Sequence, residues 1–241
     1  MRTIAGGCVA LTLAMGCGGA AATEPEPDHA AGHPGAHGGG DHDHHHHGQG
    51  HHHDFSDVER FAAIFDDPER DEWQRPQEVV GHLALSEGAV VADVGAGTGY
   101  FLPHLSPAVG AEGRVLALDV EEAMVAHMQE RIAEAQMANA EARVVPTDSP
   151  GLPPASVDRV LIVDTWHHIA DREAYSARLA EALRPDGFVL VVDFTADSPH
   201  GPPAAMRLTA EQVSAELEAG GLTPEIVQEE LPYQYVVRAR R

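Results

Sequence analysis

Between residues 90 and 194 the chain alternates short apolar runs with stretches of helical periodicity, and that alternation admits few folds. Val90–Val94 (VVADV), Arg114–Asp119 (RVLALD), Arg159–Val163 (RVLIV) and Phe188–Asp193 (FVLVVD) read as strands buried on both faces, with Ala142–Val145 a weaker one. Ahead of them, Asp57–Asp67 carries Val58, Phe61, Ala62 and Phe65 on one helical face, and Arg75-Pro76 opens a helix with Val79, Val80 and Leu83 inward. Glu121–Met137 repeats Met124, Met128 and Ile132 at i, i+4, i+8, and Asp171 caps a helix striped by Tyr175, Leu179 and Leu183. Arg184-Pro185-Asp186-Gly187 reads as a turn. Thr209 and Gln212 make a capping box for Ala210–Ala219, which stops at Gly220-Gly221. Runs at Glu225–Leu231 and Tyr233–Ala239 close the chain as a pair of strands. Residues 55–241 are therefore expected to form one α/β domain, doubly wound around a mostly parallel seven-stranded sheet.

The first 54 residues have a different character. Residues 1–17 (MRTIAGGCVALTLAMGC) set Arg2 before an apolar run too short to span a bilayer, which suits an export signal. Leu13-Ala14-Met15-Gly16-Cys17 resembles a bacterial lipobox, which implies lipidation of Cys17 and a membrane-anchored protein on the extracytoplasmic side; the alternative is a cytoplasmic protein with a ragged start. Residues 18–54 are Gly, Ala, Pro, Asp and His with almost nothing to bury, so they read as a disordered linker. Eleven of the 17 histidines lie there, His44 to His47 and His51 to His53 among them, and imply weak Zn²⁺, Ni²⁺ or Cu²⁺ binding rather than a catalytic metal.

Composition narrows the chemistry. All 15 basic residues are arginine, which removes Schiff-base lysines and the phosphate-loop lysine. The net charge of −23 argues against a nucleic-acid surface. The two cysteines, Cys8 and Cys17, stand outside the domain, so it holds no thiol nucleophile or thiolate site.

Ligands of such sheets bind beyond the carboxyl ends of the strands, where strand order reverses. The first strand runs into Gly95-Ala96-Gly97-Thr98-Gly99, which lets backbone pass under a ligand, and the second ends in Asp119, placed to accept from ribose hydroxyls. The G-x-G-x-G spacing departs from the dinucleotide G-x-G-x-x-G, making a nicotinamide-dependent reductase a weak reading. Asp93 precedes the turn and no basic residue lies between Val90 and Ala111, a poor setting for a pyrophosphate and a good one for a cationic nucleoside.

At this point the sequence resembles the class I S-adenosylmethionine-dependent methyltransferases, particularly their small-molecule branch, over about residues 70–241. The motifs stand in the family's order: VVADVGAGTGYF (90–101), RVLALDV (114–120), VDRVLIVDTWHHI (157–169) and LRPDGFVLVVDF (183–194). The resemblance implies S-adenosyl-L-methionine as cofactor and a small-molecule acceptor. It implies that Gly95, Ala96, Gly97 and Gly99 line the cofactor, that Asp119 holds the ribose, and that Val120, Thr147 and Asp148 meet the adenine. It places Asp93 and Asp164 at the methionine end, although Asp93 also reads as a residue that orients the turn and Asp148 as a loop cap.

Methyl transfer is an in-line displacement on an activated carbon, so the protein's task is alignment and exclusion of water. A base is required only where the acceptor loses a proton; His167 and His168, just after Asp164, are the candidates, against a packing role at a helix start. The absence of cysteine from the domain excludes an arsenite-type enzyme, and Phe194 stands where a magnesium-dependent catechol-type site needs an amide, so no metal is assigned. Tyr100 and Asp71–Arg75 read as a cover for the site or as packed aromatics, and the proline-rich Thr195–Leu208 as a border of the acceptor pocket. The alternative function is a membrane-tethered, non-catalytic binding protein with this fold and a metal-binding arm.

Overall fold

The computed structural model describes residues 57–241; the leader, the linker and the start of the domain at 55 lie outside them. Seven strands form one sheet: β1 (Val90–Val94), β2 (Arg114–Asp119), β3 (Ala140–Val144), β4 (Val157–Val163), β5 (Leu183–Phe194), β6 (Thr223–Val227) and β7 (Gln234–Arg240), in the order β3-β2-β1-β4-β5-β7-β6. All pairs are parallel except those of β7, which runs antiparallel to β5 and β6. The chain winds outward from β1 through β2 to β3 and then crosses back to β4 on the other side of β1. That reversal puts the switch in strand order between β1 and β4, whose carboxyl ends are where ligands of such sheets bind.

The continuous apolar runs follow from burial on both faces. Val91, Val115, Ala117, Leu161, Leu190 and Val192 pack with Leu102, Leu105, Val125 and Met128. Ala92, Leu116, Leu118, Ile162, Val189 and Val191 pack with Tyr175, Leu179, Val213 and Leu217 on the opposite face. Side chains alternate along each strand, so odd and even neighbours feed different cores.

The helices are α1 (Val58–Phe65), α2 (Arg70–Gln74), α3 (Pro76–His82), α4 (Leu102–Val109), α5 (Glu122–Glu134), α6 (Arg172–Ala182) and α7 (Ala210–Ala219). Asp171 caps α6 by accepting from the Ala174 N–H at 3.2 Å. Both bonds of the Thr209–Gln212 capping box are made. Pro76 opens α3 as expected. Among the described residues no helix is long and apolar enough to cross a membrane.

Several boundaries differ from the sequence reading. α5 ends at Glu134, with Ile132 only partly buried against the core. α6 ends at Ala182, so Leu183 leaves the helical stripe and begins β5; the Arg184–Gly187 turn is an irregularity inside that strand, between the pairs Val157–Leu183 and Arg159–Phe188. β3 and β6 lie two residues earlier than expected at their starts, where pairing with β2 and β7 sets the register. The short helix α2 falls where the sequence gives Asp71–Arg75 as a cover for the site or as packed aromatics, and no helix.

Leu190 is fully buried in the central sheet, whereas Ile64 on α1 is 55% exposed. Leu190→Ala is expected to destabilise the fold by about 2–5 kcal/mol, and Ile64→Ala to change it by no more than about 0.5 kcal/mol. Urea unfolding followed by circular dichroism measures both.

Candidate active site

The turn after β1 is shaped by its neighbours. Gly95, Gly97 and Gly99 all have positive φ. A Cβ on Gly95 would lie 2.3 Å from Thr165 Cγ2, so the residue is glycine because the loop after β4 passes against it. At Gly97, φ +56 is the constraint, since a Cβ would meet only Phe65 at 3.5 Å. The Gly95 and Ala96 N–H groups donate to the Leu118 carbonyl at 2.8 and 3.0 Å, and the Gly97 N–H donates to Asp119 Oδ2 at 2.8 Å. Asp119 Oδ1 accepts from the Glu121 N–H at 3.0 Å. Burial raises the Asp119 pKa and these backbone donors oppose the rise.

Two further acids stand at strand ends near the turn, Asp93 buried and Asp164 half-buried. Asp93 is 2% exposed and its Oδ2 has no hydrogen-bond partner. Burial, with repulsion from Asp119, pushes its pKa up to about 7 against the pull of Arg70. Asp164 ends β4 in the left-handed region at φ 53. Its pKa also rises to about 7, mainly through burial, with Arg70 opposing. A buried carboxylate with no partner is an electrostatic demand for a cation.

Asp164 belongs to a closed polar ring that sequence reasoning missed. Arg70 Nε and Nη2 donate to Gln74 Oε1 at 3.2 and 2.9 Å. Gln74 Nε2 donates to Gln234 Oε1 at 2.6 Å, and Gln234 Nε2 to Asp164 Oδ1 at 2.6 Å. Arg70 Nη2 closes the ring 3.5 Å from Asp164 Oδ2. The guanidinium lies 4.0 Å from the Tyr100 ring centroid and 5.8 Å from that of Trp73. The glycine turn is thus free of arginine only along the sequence; the fold brings Arg70 to it. The one available signal was the Arg70–Gln74 spacing of four on a helix that itself went unread.

The remaining candidates divide. The His167 ring Nδ1 lies 3.0 Å from both carboxylate oxygens of Asp193, with side chains 2% and 4% exposed. His168 is exposed, its ring centroid 4.2 Å from that of His167. Val120 is 44% exposed at the end of β2. Thr147 and Asp148 are exposed, and Asp148 faces Arg178, whose Nη1 donates to the Asp148 carbonyl at 2.6 Å, so neither is bonded to the glycine turn. Tyr100 donates its hydroxyl to Asp71, which joins the turn to α2 and supports the covering role of that segment. Among the described residues no group of three or more His, Cys, Asp or Glu side chains is arranged to hold a metal ion.

Across the edge, Thr195–Arg207 is strapped by one side chain. Arg207 donates to the carbonyls of Thr195, Ala196, Ser198, His200 and Pro202 at 2.8–3.1 Å. This holds His200 in a stack on Trp73, at 4.6 Å and 12° between planes, with Tyr233 5.3 Å from His200 and Phe194 6.0 Å from Trp73.

The sheet order, the glycine turn and the strand-end acids define the class I methyltransferase fold, whose cofactor is S-adenosylmethionine. Residues 91–187 match the family model of a methyltransferase domain. A crystal structure of a SAM dependent methyltransferase from Aquifex aeolicus superposes with a TM-score of 0.72 and 29% identity, covering 78% of this chain and 99% of that one. The chain is 29% identical over 166 residues to a Mycolicibacterium smegmatis protein named Probable S-adenosylmethionine-dependent methyltransferase, covering 65% of this chain and 62% of that protein. It is 26% identical over 131 residues to a Marinomonas ubiquinone/menaquinone biosynthesis C-methyltransferase, covering 51% and 49%. The chain therefore spans less than two thirds of the length of these curated relatives.

The raised pKa of Asp93 has a consequence for stability. The folded state binds its proton more tightly than the unfolded chain, so its contribution to stability is complete below about pH 4 and is lost as pH rises through about 7. Asp93→Asn is expected to stabilise the protein at pH 8 by roughly 2 kcal/mol, with the gain vanishing by pH 4. Chemical denaturation at the two pH values measures it.

Proposed function

We propose that the chain is an S-adenosylmethionine-dependent methyltransferase acting on a small molecule. The observation that carries this reading is the partnerless buried carboxylate of Asp93 beside a glycine turn held by Asp119. In this reading Gly95, Ala96, Gly97 and Gly99 lie under the cofactor. The Asp119 oxygens, each already accepting one N–H, keep lone pairs for two ribose hydroxyls. Exposed Val120 offers an apolar contact to the adenine, whose edge falls to Thr147 and Asp148. Asp93 and Asp164 face the cationic methionine end.

The cofactor supplies a methyl carbon activated by its sulfonium. The chain's own residues align the acceptor and exclude water: α2 and Tyr100 cover one side, and the Arg207-strapped segment with Trp73, His200 and Tyr233 borders the other. Asp193 accepts the Nδ1–H of His167 and leaves Nε2 as the basic nitrogen, which serves as general base for an acceptor that must lose a proton; exposed His168 is the second candidate. We further propose the membrane-anchored address from the Cys17 lipobox, testable by mass spectrometry of the processed N-terminus. The histidine-rich linker remains a proposed weak metal binder.

Calorimetry of the intact chain with S-adenosylmethionine tests the activity reading. Binding is expected in wild type, weakened by Asp119→Ala by about 1.5–3 kcal/mol and abolished by Gly97→Val, where a branched side chain is forced into positive φ. No binding at millimolar cofactor, or equal binding in all three proteins, overturns it.

A further inference from the structure

The segment of α1 and α2 that covers the site is held in an unusual way. α1 has no buried residue, and the one buried residue of α2 is the polar Gln74. Beside the Trp73 stack on His200, its fastenings are polar and charged: the Arg70–Gln74–Gln234–Asp164 ring, the Tyr100–Asp71 bond, and Asp66, which accepts from Thr98 Oγ1 at 3.1 Å and from Arg131 Nη1 at 2.8 Å. At the centre stands Arg70, its side chain 12% exposed, with Asp164 at 3.5 Å, the Phe65 carbonyl at 3.0 Å and the Tyr100 ring face beneath it. A guanidinium so placed has the surroundings of a bound organic cation: an aromatic face, a carboxylate and a carbonyl.

We propose that Arg70 is an internal counter-ion of the cofactor site, which pairs with Asp164 next to Asp93 and so sets how strongly the site prefers the charged cofactor to its neutral-sulfur product. This rests on the methyltransferase reading above. Without a fixed positive charge, two buried carboxylates would favour the sulfonium strongly but would destabilise the fold and leave the cover undocked. With it, part of their field is already neutralised. S-adenosylmethionine carries one more positive charge than S-adenosylhomocysteine, so a charge at residue 70 acts on the difference between the two ligands. The Gln74–Gln234 chain is the positioning element: each amide is oriented by the next, which leaves the Gln74 carbonyl oxygen to hold the guanidinium.

The test is calorimetric titration of the intact chain, with each of the two ligands, in wild type, R70Q, R70M and R70K, after circular dichroism has confirmed the fold of each. The two neutral variants are expected to raise the ratio of S-adenosylmethionine to S-adenosylhomocysteine affinity by about 5-fold, and R70K to keep it within about 2-fold of wild type. Parallel weakening of both ligands overturns the proposal, because it would mean that Arg70 contacts a part common to both, such as the carboxylate. An unchanged ratio in a folded neutral variant overturns it as well. If neither ligand binds wild type, the methyltransferase reading itself fails, and this inference with it.

Discussion

The hydrogen bond from the Gly97 N–H to the Asp119 carboxylate ties the loop after β1 to the end of β2, and the site geometry follows from it. Asp119 accepts from Gly97 and Glu121 together, so one side chain sets both the turn and the start of the next helix. The turn is pinned to the Leu118 carbonyl, and at Gly95 the Thr165 side chain packs directly on the backbone where a Cβ would otherwise stand. Backbone is then the floor of the crevice, and the groups that rise from it are carboxylates at strand ends.

Those carboxylates are costly. A sheet covered on both faces leaves polar groups only its edges, and at this edge burial first, then the charge of Asp119 on Asp93 and of Asp193 on Asp164, raises the pKa of Asp93 and Asp164. The fold answers with different devices: backbone N–H donors at Asp119, the His167 ring at Asp193, an amide chain and an arginine at Asp164. Asp93 Oδ2 is fully buried and has no hydrogen bond. Poor local stability at such a point is what a ligand of opposite charge converts into affinity.

Much of this was legible along the chain. The strands announced themselves because burial on both faces demands unbroken apolar runs, and the caps at Asp171 and Thr209 because their bonds span three residues. The glycine turn and Asp119 were legible because each sits at the end of such a run. Gln74 and Gln234 were not: 160 positions separate them, and a buried glutamine in a strand looks like an exposed one until its partner is known. The sequence leaves open how Asp71–Arg75 is fastened; the Tyr100–Asp71 bond and the Gln74–Gln234 bond hold it in place.

By itself, the amino-acid sequence determined the class of fold, the position of the glycine turn and the acids at the strand ends, because periodicity, capping and glycine spacing are local and carry their physical cause within a few residues. Tertiary structure alone decided which charges meet. Arg70, remote from Asp164 in sequence, neutralises it, and Asp193 rather than solvent receives His167. Electrostatic and hydrogen-bond partners are chosen by distance in space, and that distance exists only once β4, β5 and β7 lie side by side under α2.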